Sequence, residues 1–148
     1  MISENIDQEI KQAMLAKDQV KLRGLRAIKA AILLAKTEKG GAEDLTEDAE
    51  IKILQKLVKQ RKESADIYKN QGREDLLQVE QEEIEVISQY LPKQLERSDI
   101  EEIIQKIIIQ TGATNIKDMG KVMGLANKEL AGKAEGKLIG EIVKSRLS

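Results

Sequence analysis

Cysteine, histidine, phenylalanine and tryptophan are all absent from the 148 residues, and proline occurs once, at Pro92. Each absence removes a class of function. Without thiol or imidazole there is no disulfide, no zinc site of the usual nitrogen–sulfur kind, no thiolate nucleophile and no histidine acid–base catalysis. Tyr68 and Tyr90 are the only aromatics and both precede Pro92, so base stacking by side chains is not available to the carboxy-terminal third. No uninterrupted apolar run approaches the about 20 residues that span a bilayer, and no basic-then-apolar leader opens the chain. The expectation is a soluble protein of the cytoplasm with no membrane partner.

What remains is an aliphatic and heavily charged chain. Apolar residues make up 41% of it, enough for a core of Ile, Leu, Val, Met and Ala. The formal charge of −1 conceals a division along the sequence. Residues 1–41 carry 8 basic and 5 acidic side chains, residues 42–112 carry 10 and 17, and residues 113–148 carry 7 and 4, giving +3, −7 and +3. A protein that binds polyanions indiscriminately is usually basic throughout; this pattern instead permits one local basic surface, and no DNA binding is expected.

Apolar residues recur at helical spacing almost everywhere, and no segment alternates as a strand would. Ser3 is positioned to cap a first helix bearing Ile6, Ile10, Ala13 and Met14, which ends near Lys17-Asp18. A second helix carries Leu22, Leu25, Ile28, Ile32 and Ala35, and Lys36 to Leu45 reads as a loop around Gly40-Gly41. Thr46 caps a third helix with the seam Ile51, Leu54, Leu57, Val58, Ala65 and Tyr68, interrupted by Arg61. A fourth carries Leu76, Val79, Ile84, Ile87 and Leu91 up to Pro92. Ser98-Asp99-Ile100-Glu101 has capping-box spacing, and three shorter helices follow it, on Ile100 to Ile108, Ile116 to Leu130 and Leu138 to Val143. The chain therefore reads as all-α: an N-terminal antiparallel four-helix bundle over 1–91, a connector and hinge at 92–97, and a C-terminal three-helix domain over 98–148 of lower stability.

Six of the ten glycines lie between Gly112 and Gly140, with lysines beside them. Gly120 and Gly124 fall inside a helical pattern, where each costs about 1 kcal/mol relative to alanine unless something else compensates. Two readings stand. The glycines let the tail helices cross closely, or they bare backbone so that Lys117, Lys121, Lys133 and Lys137, with the amides at Gly136 opening the last helix, meet phosphates.

Lys117-Asp118-Met119-Gly120-Lys121-Val122-Met123-Gly124, followed by Gly132-Lys133-Ala134 and Gly136-Lys137, resembles the tail domain of the GatB/YqeY family. Leu25-Arg26-Ala27-Ile28-Lys29, Lys59-Gln60-Arg61-Lys62-Glu63-Ser64, Gly72-Arg73-Glu74-Asp75-Leu76 and Tyr90-Leu91-Pro92-Lys93-Gln94-Leu95 look like its stand-alone, YqeY-like members, so the resemblance covers nearly the whole chain. It differs at Glu135, where Asp is usual, and at Lys128, where Pro is frequent. The resemblance implies a helical bundle followed by a three-helix tail, and a link to tRNA through glutamine-dependent tRNA amidotransferase, in which GatB uses a related tail to hold tRNA. It also implies a family association with carbon–nitrogen ligase activity using glutamine as amido donor.

The residues do not supply that chemistry by themselves. Gly132-Lys133-Ala134-Glu135-Gly136-Lys137 lacks the spacing and the Ser/Thr of a P-loop, and Ser64 has no base to activate it. Arg26, Arg61 and Arg73, with Glu63, Glu80 and Glu83, are expected to form structural ion pairs inside the bundle. Lys52, Lys56 and Lys59 read as a solvated helix face, and Glu82, Glu83 and Glu85 point in different directions from one helix, so neither a metal nor another cofactor is expected. The expected function is a non-catalytic tRNA-binding accessory protein. The alternative is an adaptor that docks on an aminoacyl-tRNA synthetase or an amidotransferase.

Overall fold

A computed structural model describes residues 1–38 and 45–148. The described residues form seven α-helices, with no strand among them: α1 (Ile2–Leu15), α2 (Gln19–Glu38), α3 (Glu47–Asn70), α4 (Glu74–Ser88), α5 (Arg97–Thr111), α6 (Met119–Glu129) and α7 (Gly136–Leu147). A single 3-10 turn, Ile116–Asp118, leads into α6. α2 runs three residues into the stretch read from sequence as a loop; the remainder of that reading, around Gly40-Gly41, lies outside the described residues.

The helix ends follow local chemistry. Asp18 Oδ1 accepts the Lys21 N–H at 3.1 Å, and Thr46 Oγ1 accepts the Ala49 N–H at 3.1 Å, so each satisfies an N–H that has no intrahelical partner. Gly72 and Gly112 both take φ +69°, the left-handed conformation that closes α3 and α5. Two expected caps are displaced. α1 begins at Ile2, one residue before Ser3, and the α5 capping box is Glu96 with Asp99 rather than Ser98 with Glu101. Glu101 instead bonds Arg97 at 2.9 Å one turn back, so an i,i+4 ion pair takes the carboxylate that the Ser98 box required.

The chain's contacts divide into two compact units, Met1–Pro92 and Lys93–Ser148. In the first, Leu22, Leu25, Ile28 and Ile32 from α2 meet Leu54 and Val58 from α3, Ile87 from α4 and Ile6 and Ala13 from α1. Fully burying each such aliphatic side chain is worth about 1.5–3 kcal/mol, which is what assembles the four helices. Gly24 lets α4 approach: a Cβ there would lie 2.5 Å from Val86 Cγ1. Arg61 Nε bonds Glu83 Oε2 at 2.9 Å and Arg23 Nη2 bonds Glu82 Oε2 at 2.9 Å, with a looser ionic contact of 3.4 Å between Arg23 Nε and Glu83. Arg23 thus takes the place expected of Arg26, which is exposed, while Arg73 pairs with the adjacent Asp75 on the surface. That partner holds the Asp75 carboxyl below its ordinary pKa, chiefly through the hydrogen bond.

In the second unit Ile100, Ile104 and Ile107 of α5, Val122 and Ala126 of α6 and Ile139, Ile142 and Val143 of α7 form a separate core. Residues 93–97, read from sequence as a connector, are fastened to this unit. The Leu95 N–H donates to the Lys133 carbonyl at 2.9 Å, and the Gln94 amide donates to the Gly132 carbonyl at 2.7 Å.

Candidate nucleic-acid interface

The geometry of α6 follows from its apolar spacing. Val122, Ala126 and Leu130 recur every four residues and are buried, so positions shifted by about half a turn must face water. Those positions are Lys117, Lys121, Gly124 and Lys128, spaced four, three and four, and all are exposed. Lys117 belongs to the 3-10 turn, which Asn115 starts by accepting the Lys117 N–H on Oδ1 at 2.9 Å. The cap fixes where the stripe begins.

Lys133 and Lys137 stand at the other end. Gly132 takes φ +75° in the turn between α6 and α7, and the bonds from Gln94 and Leu95 pin the carbonyls of Gly132 and Lys133, leaving the Lys133 side chain exposed. Lys137 is the second residue of α7, beside the unpaired N–H groups and the positive end of that helix. At 1.5 Å per residue, α6 rises about 14 Å between Lys121 and Leu130. The four lysines therefore form two pairs along one helix hairpin rather than a single knot, and Lys128 lies between them.

None of Lys117, Lys121, Lys128, Lys133 and Lys137 has an acidic partner within 4.0 Å among the described residues. Asp118, which follows Lys117, is occupied: its Oδ2 accepts the Thr114 N–H at 3.0 Å. By contrast, Arg97 and Arg146 share Glu101, and Arg146 also bonds Gln105 at 3.1 Å, so Arg146 joins α7 to α5.

The surroundings of the glycines decide between close crossing and bared backbone. A Cβ placed on Gly120, Gly124 or Gly136 would meet nothing within 4 Å. Close crossing of the tail helices is therefore not their role, because α6 packs through the opposite face. They leave open backbone beside Lys121 and Lys137. Lys128 escaped the sequence reading because it drew notice only as a departure from a family proline; its spacing of seven from Lys121 would have found it.

Compared with known proteins, the chain matches the family described as Yqey-like protein over residues 3–147. The chain belongs to the YqeY-like family. The YqeY-like chain is also 33% identical over 122 residues to the Clavispora lusitaniae protein named altered inheritance of mitochondria protein 41, mitochondrial, a match covering 82% of this chain and 69% of that one. Proteins of the same name from Eremothecium gossypii and Meyerozyma guilliermondii are 39% and 40% identical over 89 and 86 residues, covering 59% and 58% of the YqeY-like chain. These matches span 47% and 44% of the two fungal proteins, under half of their length. Among the described residues, no helix is long and apolar enough to cross a membrane, and no group of three His, Cys, Asp or Glu side chains is placed to hold a metal.

Proposed function

We propose that this protein is a non-catalytic tRNA-binding accessory module, and that the hairpin of α6 and α7 is its RNA-facing surface. The observation that carries the reading is the stripe of exposed, unpaired lysines set beside glycines whose α-carbons face open space. Bare backbone and mobile ammonium groups suit phosphate oxygens, which position a nucleic acid without reading its bases. With no aromatic in the tail, recognition rests on the shape of a folded RNA. A handful of phosphate contacts gives binding of about micromolar strength or weaker that falls steeply with salt.

The family resemblance supports tRNA as the RNA and an aminoacyl-tRNA synthetase or amidotransferase as the neighbouring enzyme. Carbon–nitrogen ligase chemistry belongs, in this reading, to that neighbour. The fungal relatives are mitochondrial by name, whereas the sequence expectation for this chain is cytoplasmic; the reading requires only a compartment that contains tRNA. Gel shift with purified total tRNA tests it. Wild-type protein retards tRNA, and Lys121→Glu/Lys137→Glu, which changes only exposed positions, does not. Equal retardation by both proteins rejects the surface. Co-purification of a protein partner that persists after ribonuclease treatment, together with no tRNA shift, replaces the reading with the adaptor alternative.

A further inference from the structure

The one fully buried charged side chain among the described residues lies far from the lysine stripe in sequence. Glu50, in the first turns of α3, is 2% exposed, and neither of its carboxylate oxygens has a hydrogen-bond partner. Leaving a carboxylate shut away from water without a hydrogen-bond partner is costly, and native proteins normally pair it. The immediate surroundings do not do so. The α3 N-terminus supplies a favourable field, yet the Ala49 N–H is taken by Thr46 Oγ1 and the Glu50 N–H by the Thr46 carbonyl. The Tyr90 hydroxyl donates to Glu9, and the Met1 ammonium contacts Glu4 at 3.5 Å.

Glu50 lines a cavity of about 230 Å³ within the first unit, together with Ile2, Ile51, Leu54, Tyr90 and Leu91, and with Glu47. The lining contains no lysine or arginine; its one cationic group is the Met1 ammonium, which contacts Glu4. Two carboxylates exclude an anion. Two carboxylates and a phenol already committed to Glu9 fall short of the six or more oxygens a hard divalent cation requires. What the lining offers is an anionic end, a phenolic oxygen able to accept, and aliphatic walls. A primary ammonium on a short hydrocarbon chain matches all three, having three N–H donors and an apolar stem. Nothing fastens the carboxylate in its shielded position, so turning it toward the cavity breaks no hydrogen bond.

We propose that this cavity binds a primary alkylammonium group, with Glu50 turning to receive its N–H donors and with Ile2, Ile51, Leu54 and Leu91 against its chain. The group is carried by a free amine or by a lysine side chain of another protein, and the site is independent of the RNA-binding reading.

The test is titration of the full chain, followed by NMR, with n-butylammonium, 1,5-diaminopentane, a blocked lysine-containing pentapeptide and, as the neutral counterpart, n-butanol. The expected result is saturable shifts confined to residues around Glu50 and Tyr90 for at least one ammonium probe, with n-butanol at least about tenfold weaker. The diaminopentane and peptide arms identify the carrier. Glu50→Gln should weaken ammonium binding by at least about tenfold while the free variant melts no lower than wild type, because the carboxylate it replaces makes no hydrogen bond to lose. Equal binding of n-butylammonium and n-butanol, shifts elsewhere only, or undiminished binding by a folded Glu50→Gln overturns the proposal. Should Glu50→Gln fail to fold, the comparison of ammonium with alcohol on wild-type protein decides.

Discussion

Gly24 has no room for a side chain: its Cβ would sit 2.5 Å from Val86 Cγ1 and 2.7 Å from Val86 Cβ. Val86 is β-branched and joined directly to the α4 backbone, so relief requires moving the helix itself. Overpacking of this kind costs about 1–3 kcal/mol, against about 1 kcal/mol gained from helix propensity. Gly24→Ala is therefore expected to lose up to about 2 kcal/mol in urea denaturation, and Gly24→Ala/Val86→Ala to lose less than the two single changes summed. Tyr90 makes a second prediction. Burial first, and then its bond to Glu9, push the phenol well above its ordinary pKa. A raised folded pKa means that the stabilisation is complete below the unfolded value of about 10 and is lost as pH rises beyond it. The stability difference between wild type and Tyr90→Phe should be level from pH 7 to 9 and move against wild type above about pH 10. A level difference through pH 11 contradicts the half-buried, Glu9-bonded phenol.

At the scale of elements, α2 and α6 both contain glycine, for opposite reasons. In α2 the glycine admits a neighbour; in α6, Gly120 and Gly124 face solvent and cost helix stability with no packing return. Gly120→Ala and Gly124→Ala should each raise the stability of the tail by roughly 0.5–1 kcal/mol. The same variants should bind tRNA more weakly if bare backbone is what the RNA approaches, and circular-dichroism melts paired with anisotropy titrations separate the two effects. The sequence carried the helices well because apolar spacing is a direct consequence of helix geometry: Leu22, Leu25, Ile28 and Ile32, and likewise Ile100, Ile104 and Ile107, all fall inside as their period demands. Helix starts were less legible. Ser98 and Glu96 both lie near a carboxylate three residues on, and spacing alone does not choose between them. Partner choice among charges was less legible still. Arg23 and Arg26 lie on one helix three residues apart, and only the position of α4 decides which of them reaches Glu82 and Glu83. Glu50 was hidden for a related reason: at the head of α3 an acid is expected to stabilise the helix end and face water.

At the scale of the whole molecule, two separate cores carry two different kinds of surface. The first unit packs four helices around an aliphatic core and holds Arg23 and Arg61 in ion pairs with α4. The second packs three short helices and, among the described residues, leaves Lys117, Lys121, Lys128, Lys133 and Lys137 without an acidic partner. Free ammonium groups on a small scaffold have no evident structural use, since lone surface charges contribute little to stability. Electrostatic attraction to a polyanion is the use proposed for them. Its signature is quantitative, because each neutralised phosphate releases counterions and adds about −0.9 to the slope of log K against log salt.

The most direct measurement is therefore an anisotropy titration of labelled tRNA at several salt concentrations, run in parallel on wild type and on Lys121→Glu/Lys137→Glu. Engagement of Lys117, Lys121, Lys133 and Lys137 predicts a wild-type slope of about −3 to −4, with the double variant shallower by about 2 and at least tenfold weaker at low salt. Identical slopes and affinities for the two proteins, or a wild-type affinity indifferent to salt, would contradict the account.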